Sequence, residues 1–186
     1  MDKFKFRLVE RSDFSLIGEW LTTPHVARWW ANDASAAVIE ADYGGCVDGT
    51  EPTQVFIAHQ GARPIGLIQR YRFDAYPQYI EELAGLMTAP AAAWSIDYFL
   101  GPADVLGRGL ASRMIHAFLI SLWLDEPDAT CVIVPIHALN RASWRSLERA
   151  GFRKVATGDL EPDNPIDDPA HFIYRIDRPA IGLESD

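Results

Sequence analysis

The sequence predicts a single α/β domain built around a mixed β-sheet. Its segments begin with a strand, helices and an antiparallel hairpin, and then alternate between strand and helix. An apolar helical stretch over 108–124 separates apolar strands at 93–100 and 130–136, and such a crossover places the two strands side by side and parallel. We expect one domain over residues 1–178 and a short unstructured tail over 179–186.

The first half of the chain predicts three strands. Residues 4–10 alternate polar and apolar side chains, which is typical of a strand with one buried face. The runs 53–59 and 64–73 predict two further strands, joined by a tight turn with Gly61 into a hairpin. Residues 74–90 show no clear periodicity, and we expect a long mixed loop there.

Helices are predicted between the first strand and the hairpin. Apolar residues recur at helical spacing over 11–21, with Ser12 as the expected N-cap. A short helix begins at Pro24, since proline is favoured in the first turn. A weaker helix is expected over 34–43, ending at the glycine pair 44–45.

The second half of the chain alternates strands and helices and ends in an antiparallel pair around an acidic loop. The predicted segments are the strand 93–100, the helix 108–124, the strand 130–136, the helix 140–151 with Gly151 at its C-terminus, and the strands 152–158 and 170–177.

Composition narrows the class of partner. The formal net charge of −9 argues against nucleic-acid binding, which needs lysine and arginine to displace phosphate counterions. The charge suits a cationic partner, although it also serves solubility. No apolar stretch approaches the roughly 20 residues of a membrane span, and the N-terminus lacks a signal-peptide core, so we expect no membrane association and a cytoplasmic location. Cys46 and Cys131 lack metal-type spacing, which predicts reduced thiols and no metal site.

A glycine turn follows the strand 93–100 and leads directly into a helix. In "DVLGRGLASRM", Gly107 and Gly109 leave the backbone bare where the helix begins with its unpaired N–H groups. Such a turn suits a phosphate group, although a plain connection between strand and helix has the same form. It lacks the Gly-Lys-Ser/Thr ending of a Walker A loop and the third glycine of the dinucleotide fingerprint.

The glycine turn resembles motif A of the GNAT acetyltransferase superfamily, Gln/Arg-x-x-Gly-x-Gly/Ala, with Asp104 in the first position. A later helix, "NRASWRSLERAGF", is similar to the family's helix that carries an asparagine near its start and ends in Gly-Phe, here Asn140 and Gly151-Phe152. The resemblance extends from "FRLVERSDF" to "FIYRID". It implies a GNAT-type domain with two splayed parallel strands, and acetyl-coenzyme A as the cofactor.

The resemblance also implies which residues hold the cofactor. The pantetheine arm would pair with the backbone of one strand, the pyrophosphate would lie on the glycine turn, and the later helix would contribute its first turn. The implied cofactor-binding residues are Tyr98, Phe99, Leu100, Leu106, Gly107, Arg108, Gly109, Leu110, Ala111, Asn140 and Ser143.

Asp97 is the candidate general base. An alkyl amine with a pKa near 10 is mostly protonated at pH 7 and must lose a proton before it attacks a thioester. Asp97 lies in the otherwise apolar run "AWSIDYFL", where an aspartate is disfavoured unless it has a partner or a function. An outward-facing polar residue of a strand remains the alternative.

Within the superfamily, "EWLTTPHVARWW" and "PIGLIQRYRF" resemble the aminoglycoside 6′-N-acetyltransferases. A polycationic sugar calls for carboxylates and aromatic rings, which agrees with the resemblance. The implied acceptor-binding residues are Trp29, Trp30, Gln69, Tyr71, Tyr79, Glu81, Glu82, Asp97 and Asp167, and the acidic loop adds Asp163 and Asp168. Core packing by the tryptophans, a polar sheet face and a solvated acidic loop are the simpler interpretations.

Two positions depart from the aminoglycoside enzymes. Leu147 stands where those enzymes have a tyrosine that protonates the departing thiolate, and Pro135 replaces an acceptor-binding aspartate. The nearby His137 could offset either loss, although a loop histidine without a role is the simpler interpretation. Two other functions therefore stay open: a lysine-type acyltransferase of siderophore metabolism, and a non-catalytic domain that binds coenzyme A. The chain is expected to be a monomer or a homodimer.

Overall fold

The computed structural model describes residues 4–30, 33–162, 164 and 166–180, and in this part of the chain shows a seven-stranded mixed sheet with helices on both faces. The strands are β1 Phe4–Leu8, β2 Gln54–Gln60, β3 Arg63–Arg72, β4 Ala93–Leu100, β5 Cys131–His137, β6 Arg153–Asp159 and β7 Ala170–Asp177. The helices are α1 Phe14–Leu21, α2 Pro24–Trp30, α3 Ala36–Asp48, α4 Pro77–Leu83, α5 Leu110–Asp125 and α6 Arg141–Arg149. The predicted α/β class is confirmed.

The strands are ordered β1-β2-β3-β4-β5-β7-β6 across the sheet. β4 and β5 are parallel, as the crossover through α5 predicted, and every other neighbouring pair is antiparallel. The hairpin of β2 and β3 turns at Gly61, whose φ of 63° is accessible to glycine at no steric cost. The last strand in sequence, β7, lies between β5 and β6, so it is inserted into the sheet and not added at its edge.

Two apolar layers form because residues of a strand alternate between the faces of the sheet. On one face, Leu67 and Phe99 pack beneath α1, α2 and α3, where Ile17 is fully buried. On the opposite face, Ile96 packs against α5, where Met114 is fully buried. Asp97 therefore faces the layer of the first three helices, and its neighbours on the strand face α5 and α6.

β4 is the central strand, and it separates from β5 after a short contact. Its register with β5 comprises Ala93 with Cys131 and Trp94 with Val132, whereas its register with β3 continues as far as Leu100. Beyond Trp94 the two parallel strands diverge. The splayed geometry that the family resemblance implied is present.

The beginning of the first helix differs from expectation. Ser12 does not cap it; it lies inside a 3-10 turn at Arg11–Asp13 that precedes α1. The carboxylate of Asp13 accepts the backbone N–H of Glu10 at 2.8 Å and pairs with Arg7 at 2.7 Å. Asp13 thus holds the 3-10 turn that precedes α1, and its side chain makes no capping hydrogen bond to α1.

The glycine pair does not end α3. The helix continues through Gly44 and Gly45 and ends at Gly49, which takes a left-handed φ of 70°. A Cβ at Gly44 would lie 2.6 Å from a carboxylate oxygen of Glu40, and one at Gly45 would lie 2.6 Å from Cγ of Glu51. The pair therefore leaves room for the side chains of Glu40 and Glu51.

The expected loop over 74–90 contains regular structure. A 3-10 turn at Phe73–Ala75 leads into α4, which begins with Pro77 in its first turn. Leu83 anchors this short helix in a small apolar cluster with Phe73. Seven residues carry too weak a periodicity to be recognised from sequence, and the anchor is a tertiary contact.

The remaining expectations concern thiols, membranes and the C-terminus. Cys46 and Cys131 are free thiols, and Cys131 is fully buried, as expected. Among the described residues, no helix has the length and apolar character needed to cross a bilayer. Residues 179–180 follow β7 without regular structure, and the rest of the predicted tail, 181–186, lies outside the described residues.

We predict that Gly66→Ala destabilises the fold through the contact between β3 and β4. A Cβ at Gly66 would overlap the backbone carbonyl oxygen of Phe99, which cannot move without disturbing the sheet. The free energy of unfolding should fall by about 1–3 kcal/mol in a urea titration. Gly85→Ala is the matched control, because a Cβ there has no neighbour within 4 Å. Equal stability of the two variants would contradict the prediction.

Candidate functional site

A cleft of about 1270 Å³ opens where β4 and β5 diverge. It runs from the glycine turn at the start of α5, past the end of β4, to the acidic loop between β6 and β7. Helices α2 and α6 supply the side walls. One continuous space therefore joins the segments that the sequence analysis assigned to two ligands.

Most of the predicted site residues line this cleft. They are Trp29, Trp30, Gln69, Tyr71, Tyr79, Glu82, Asp97, Tyr98, Phe99, Leu100, Leu106, Gly107, Gly109, Leu110, Ala111, Asn140, Ser143 and Asp167. The predicted residues Arg108 and Glu81 are exposed and lie outside the lining. Arg108 stands between two left-handed glycines on the outside of the turn, and Glu81 lies two residues from the buried Leu83, on the opposite side of α4.

Asp97 lies on the floor of the cleft, held by the neighbouring strand. Gln69 is its direct cross-strand partner, and the amide nitrogen of Gln69 donates to Oδ2 of Asp97 at 2.9 Å. This hydrogen bond orients the carboxylate. Gln69 and Asp42 also line a second cavity of about 160 Å³ that adjoins the cleft.

The glycine turn has the geometry of an anion-binding turn. Gly107 and Gly109 take φ values of 73° and 68°, and no heavy atom lies within 4 Å of the position that a Cβ would have at Gly107. α5 begins at Leu110, two residues later than predicted, because Gly109 is its left-handed N-cap. The first N–H groups of a 16-residue helix therefore point into the cleft beside bare backbone.

Tyr98 bridges the two sides of the opening. Its side chain faces α6, where its hydroxyl lies 2.8 Å from Oγ of Ser143 and donates to the Ser143 carbonyl at 3.1 Å. Burial raises the pKa of Tyr98 above its ordinary value, so the phenol stays protonated. Asn140 caps α6, since its Oδ1 accepts the backbone N–H of Ser143 at 3.2 Å.

The end of β4 is attached to α2. His25 donates from Nε2 to the carbonyl of Leu100 at 2.8 Å, and both residues line the cleft. Trp30 stands edge-on to Phe99 at 4.9 Å between ring centroids and packs against the core beneath α1–α3. Trp30 thus combines the two interpretations that the sequence left open, as a packing residue that also lines the cleft.

Aromatic rings form the wall near β3. Tyr71 is largely buried, and its ring centroid lies 5.3 Å from that of Tyr76 and 5.6 Å from that of Tyr79. On the opposite wall, the ring centroid of Trp29 lies 5.7 Å from that of His137. These rings give the cleft apolar faces between its charged groups.

Asp167 has a partner that the sequence did not predict. Arg28 donates from Nη1 to Oδ2 of Asp167 at 2.8 Å and from Nη2 to Oδ1 at 2.6 Å. These hydrogen bonds hold the pKa of Asp167 below its usual range. Asp168 does not line the cleft, and Asp163 lies outside the described residues.

Several other lining residues were missed or misplaced by the sequence analysis. His137 is the buried last residue of β5, not a loop residue, and its Nε2 donates to the carbonyl of Asp168 at 2.8 Å. Arg28, Asp42 and Tyr43 also line the cleft. Their segments carry ordinary helical patterns, so no local signal distinguishes them; only the packing of α2 and α3 against β4 brings them to the site.

Leu147 on α6 is fully buried in the core beneath α5, so this position supplies no hydroxyl group to the cleft. Pro135, which replaces the aspartate of the aminoglycoside enzymes, lines the cleft. Across the described residues, no group of three or more histidine, cysteine, aspartate or glutamate side chains is arranged to hold a metal ion.

Comparisons with known proteins agree with this geometry. The model of the acetyltransferase (GNAT) domain matches residues 10–160. Aminoglycoside N(6′)-acetyltransferase type 1 from Klebsiella pneumoniae is 29% identical over 168 residues, covering 88% of this chain and 80% of that protein. Two crystal structures of aminoglycoside acetyltransferase AAC(6′)-Ib are similar in fold. The complex with paromomycin and acetyl-CoA has a TM-score of 0.81 at 26% identity, covering 100% of this chain and 99% of that one. The complex with coenzyme A and kanamycin has a TM-score of 0.79 at 25% identity and covers 95% of each chain.

We predict that Asn140→Ala destabilises the protein by removing the cap of α6. Loss of the acceptor for the Ser143 N–H should lower the free energy of unfolding by about 0.5–2 kcal/mol, measured by denaturant titration. Asn140→Asp places a carboxylate oxygen where the amide oxygen accepts the Ser143 N–H and should retain most of the stability. An equal loss in both variants would show that packing, and not the cap, is responsible.

Proposed function

The chain belongs to the GNAT acetyltransferase family, and on that premise we propose that it transfers an acetyl group from acetyl-CoA to the 6′-amine of an aminoglycoside. The observation that carries the proposal is the single cleft, in which a glycine turn, an oriented aspartate and a wall of aromatic and acidic side chains follow one another. The result of the reaction would be resistance to the antibiotic, in the cytoplasm.

The residues at one end of the cleft fit the cofactor. The glycine turn leaves room for an anion beside the N-terminus of α5, and the divergence of β5 leaves one backbone edge of β4 facing the cleft. The turn residues would hold the pyrophosphate, while Tyr98 and Phe99 would pair with the pantetheine arm in the manner of an added strand. The carbonyl of Leu100 already accepts from His25, so this residue would contribute less than the sequence implied.

When bound, acetyl-CoA supplies a thioester carbonyl as the electrophile. The chain's own task is to present a neutral amine, and Asp97 would accept the proton of the acceptor's ammonium group, directly or through a water molecule. Gln69 holds the carboxylate in place while the acceptor binds. Neither cysteine lines the cleft, which supports direct attack by the amine without a covalent enzyme intermediate.

The other end of the cleft suits a cationic sugar. Glu82, Asp42 and Asp97 supply negative charge at the lining. Tyr71 and Tyr79 add aromatic rings to the wall, whereas one face of Trp29 is covered by Arg28. A free amino acid such as lysine would need a basic anchor for its carboxylate. Arg28, a cationic residue of this wall, is already paired with Asp167, which supports the aminoglycoside as the acceptor. The other arginines of the lining, Arg145 and Arg149, lie on α6.

A thiol-release assay tests the function. Kanamycin should release coenzyme A from acetyl-CoA, whereas paromomycin, which has a hydroxyl at the 6′ position, should release far less. Lysine derivatives and long-chain acyl-CoA complete the panel. Turnover with these alone would support the siderophore-type alternative, and binding of coenzyme A without transfer to any amine would support the non-catalytic one.

We predict that Asp97→Asn lowers kcat with kanamycin by about a hundredfold or more at pH 7, because no carboxylate is then present to accept the proton of the kanamycin ammonium group. The deficit should shrink at pH 9, since an alkyl amine with a pKa of about 10 is then neutral in a larger fraction of molecules. Asp128→Asn is the matched control, because Asp128 is exposed and lies outside the cleft. A deficit that is the same at both pH values would argue against a role in proton transfer.

A further inference from the structure

Arg28 and Asp167 form an ion pair inside the acceptor end of the cleft. The two residues are 139 positions apart in the chain, both line the cleft, and two hydrogen bonds of 2.8 and 2.6 Å join them. The carboxylate side chain is only 9% exposed, whereas the guanidinium side chain is 40% exposed. The pair thus joins α2 to the loop between β6 and β7 across the wall of the cleft.

The guanidinium of Arg28 also lies over an aromatic ring. Its central carbon is 4.2 Å from the centroid of Trp29, and the Trp29 ring lies against His137. A carboxylate on one side and an aromatic face on the other are the two contacts that an ammonium group of a cationic ligand requires. Arg28 therefore occupies a position that a positive charge of the acceptor could otherwise take.

We infer that Arg28 is a specificity-determining residue, which neutralises Asp167 and so limits the positive charge that an acceptor can place at this end of the cleft. The inference rests on the proposed function, since it concerns the same acceptor. It makes Asp167 a partner of the protein's own cation, where the sequence implied a direct contact with the acceptor.

If the pair sets the charge of the cleft, the two single substitutions should have opposite effects on acceptor binding. Removing Arg28 leaves a carboxylate, which attracts a polycation, and removing Asp167 leaves a guanidinium, which repels it. Removing both restores the neutral state of the intact pair. A purely structural pair that anchors the loop behaves differently, because either single loss would then disturb acceptor binding in the same direction.

The experiment compares Arg28→Gln, Asp167→Asn and the double variant in the full-length chain, with kanamycin as the acceptor. KM should fall by about threefold to tenfold in Arg28→Gln, rise by a similar factor in Asp167→Asn and return to within about twofold of the wild type in the double variant, with little change in kcat. The gain in Arg28→Gln should shrink as salt is added. Arg28→Lys keeps the charge and should leave KM near that of the wild type.

Arg11→Gln is the matched control. Arg11 holds Asp48 on the surface by two hydrogen bonds of 2.7 and 2.7 Å and also pairs with Glu40 at 2.8 Å, and none of these residues lines the cleft. This variant should leave KM unchanged. Thermal unfolding of every variant checks that its fold is retained.

Calorimetric titration with paromomycin gives a second readout that needs no acetyl transfer. Arg28→Gln should bind it more tightly than the wild type, and Asp167→Asn more weakly. Shifts in the same direction for the two single variants, an Arg28→Gln that matches Arg11→Gln, or no binding by the wild type and Arg28→Gln alike would each overturn the inference. Opposite shifts in binding without thiol release from any aminoglycoside would instead uphold Arg28 and reject the proposed function.

Discussion

β4 pairs with β3 from Trp94 to Leu100 but with β5 only at its first two residues, and the rest of the site depends on that difference. A parallel pair that diverges leaves backbone polar groups facing a gap, and such groups need partners. The fold places the gap at the middle of the sheet, between two apolar layers, where its floor carries Asp97. The cleft is thus a consequence of strand pairing, and the helices and loops around it supply its chemistry.

The same geometry separates the two ligands. Side chains of β4 alternate between the faces, so Asp97 lies with Gln69 and the first three helices, while Tyr98 lies with α6. The glycine turn stands at the strand's end, and the aromatic and acidic walls stand beside Asp97. Under the proposed function, an acyl donor and an amine acceptor would approach this strand from different directions and meet at Asp97.

The sheet could be predicted from strand alternation and the crossover helix, which are local patterns, whereas most residues of the cleft were implied by the family resemblance. The short helix α4 could not, since seven residues have weak periodicity and Leu83 is held by a distant partner. Arg28 could not either: its pairing with Asp167 joins segments that are adjacent only after the sheet has closed. The residues of the glycine turn were placed well as a group, but the sequence could not show that Arg108 is on its outer side.

β4 and β5 are paired where they begin, and the hydrogen bond between Tyr98 and Ser143 joins β4 a second time, to the helix α6 that follows β5. This hydrogen bond joins β4 to α6 on the far side of the gap, so the diverging strands are held together at both ends of the gap. Because the protein around the gap is already ordered, it loses little conformational entropy when a ligand binds there, and more of the contact energy appears as affinity.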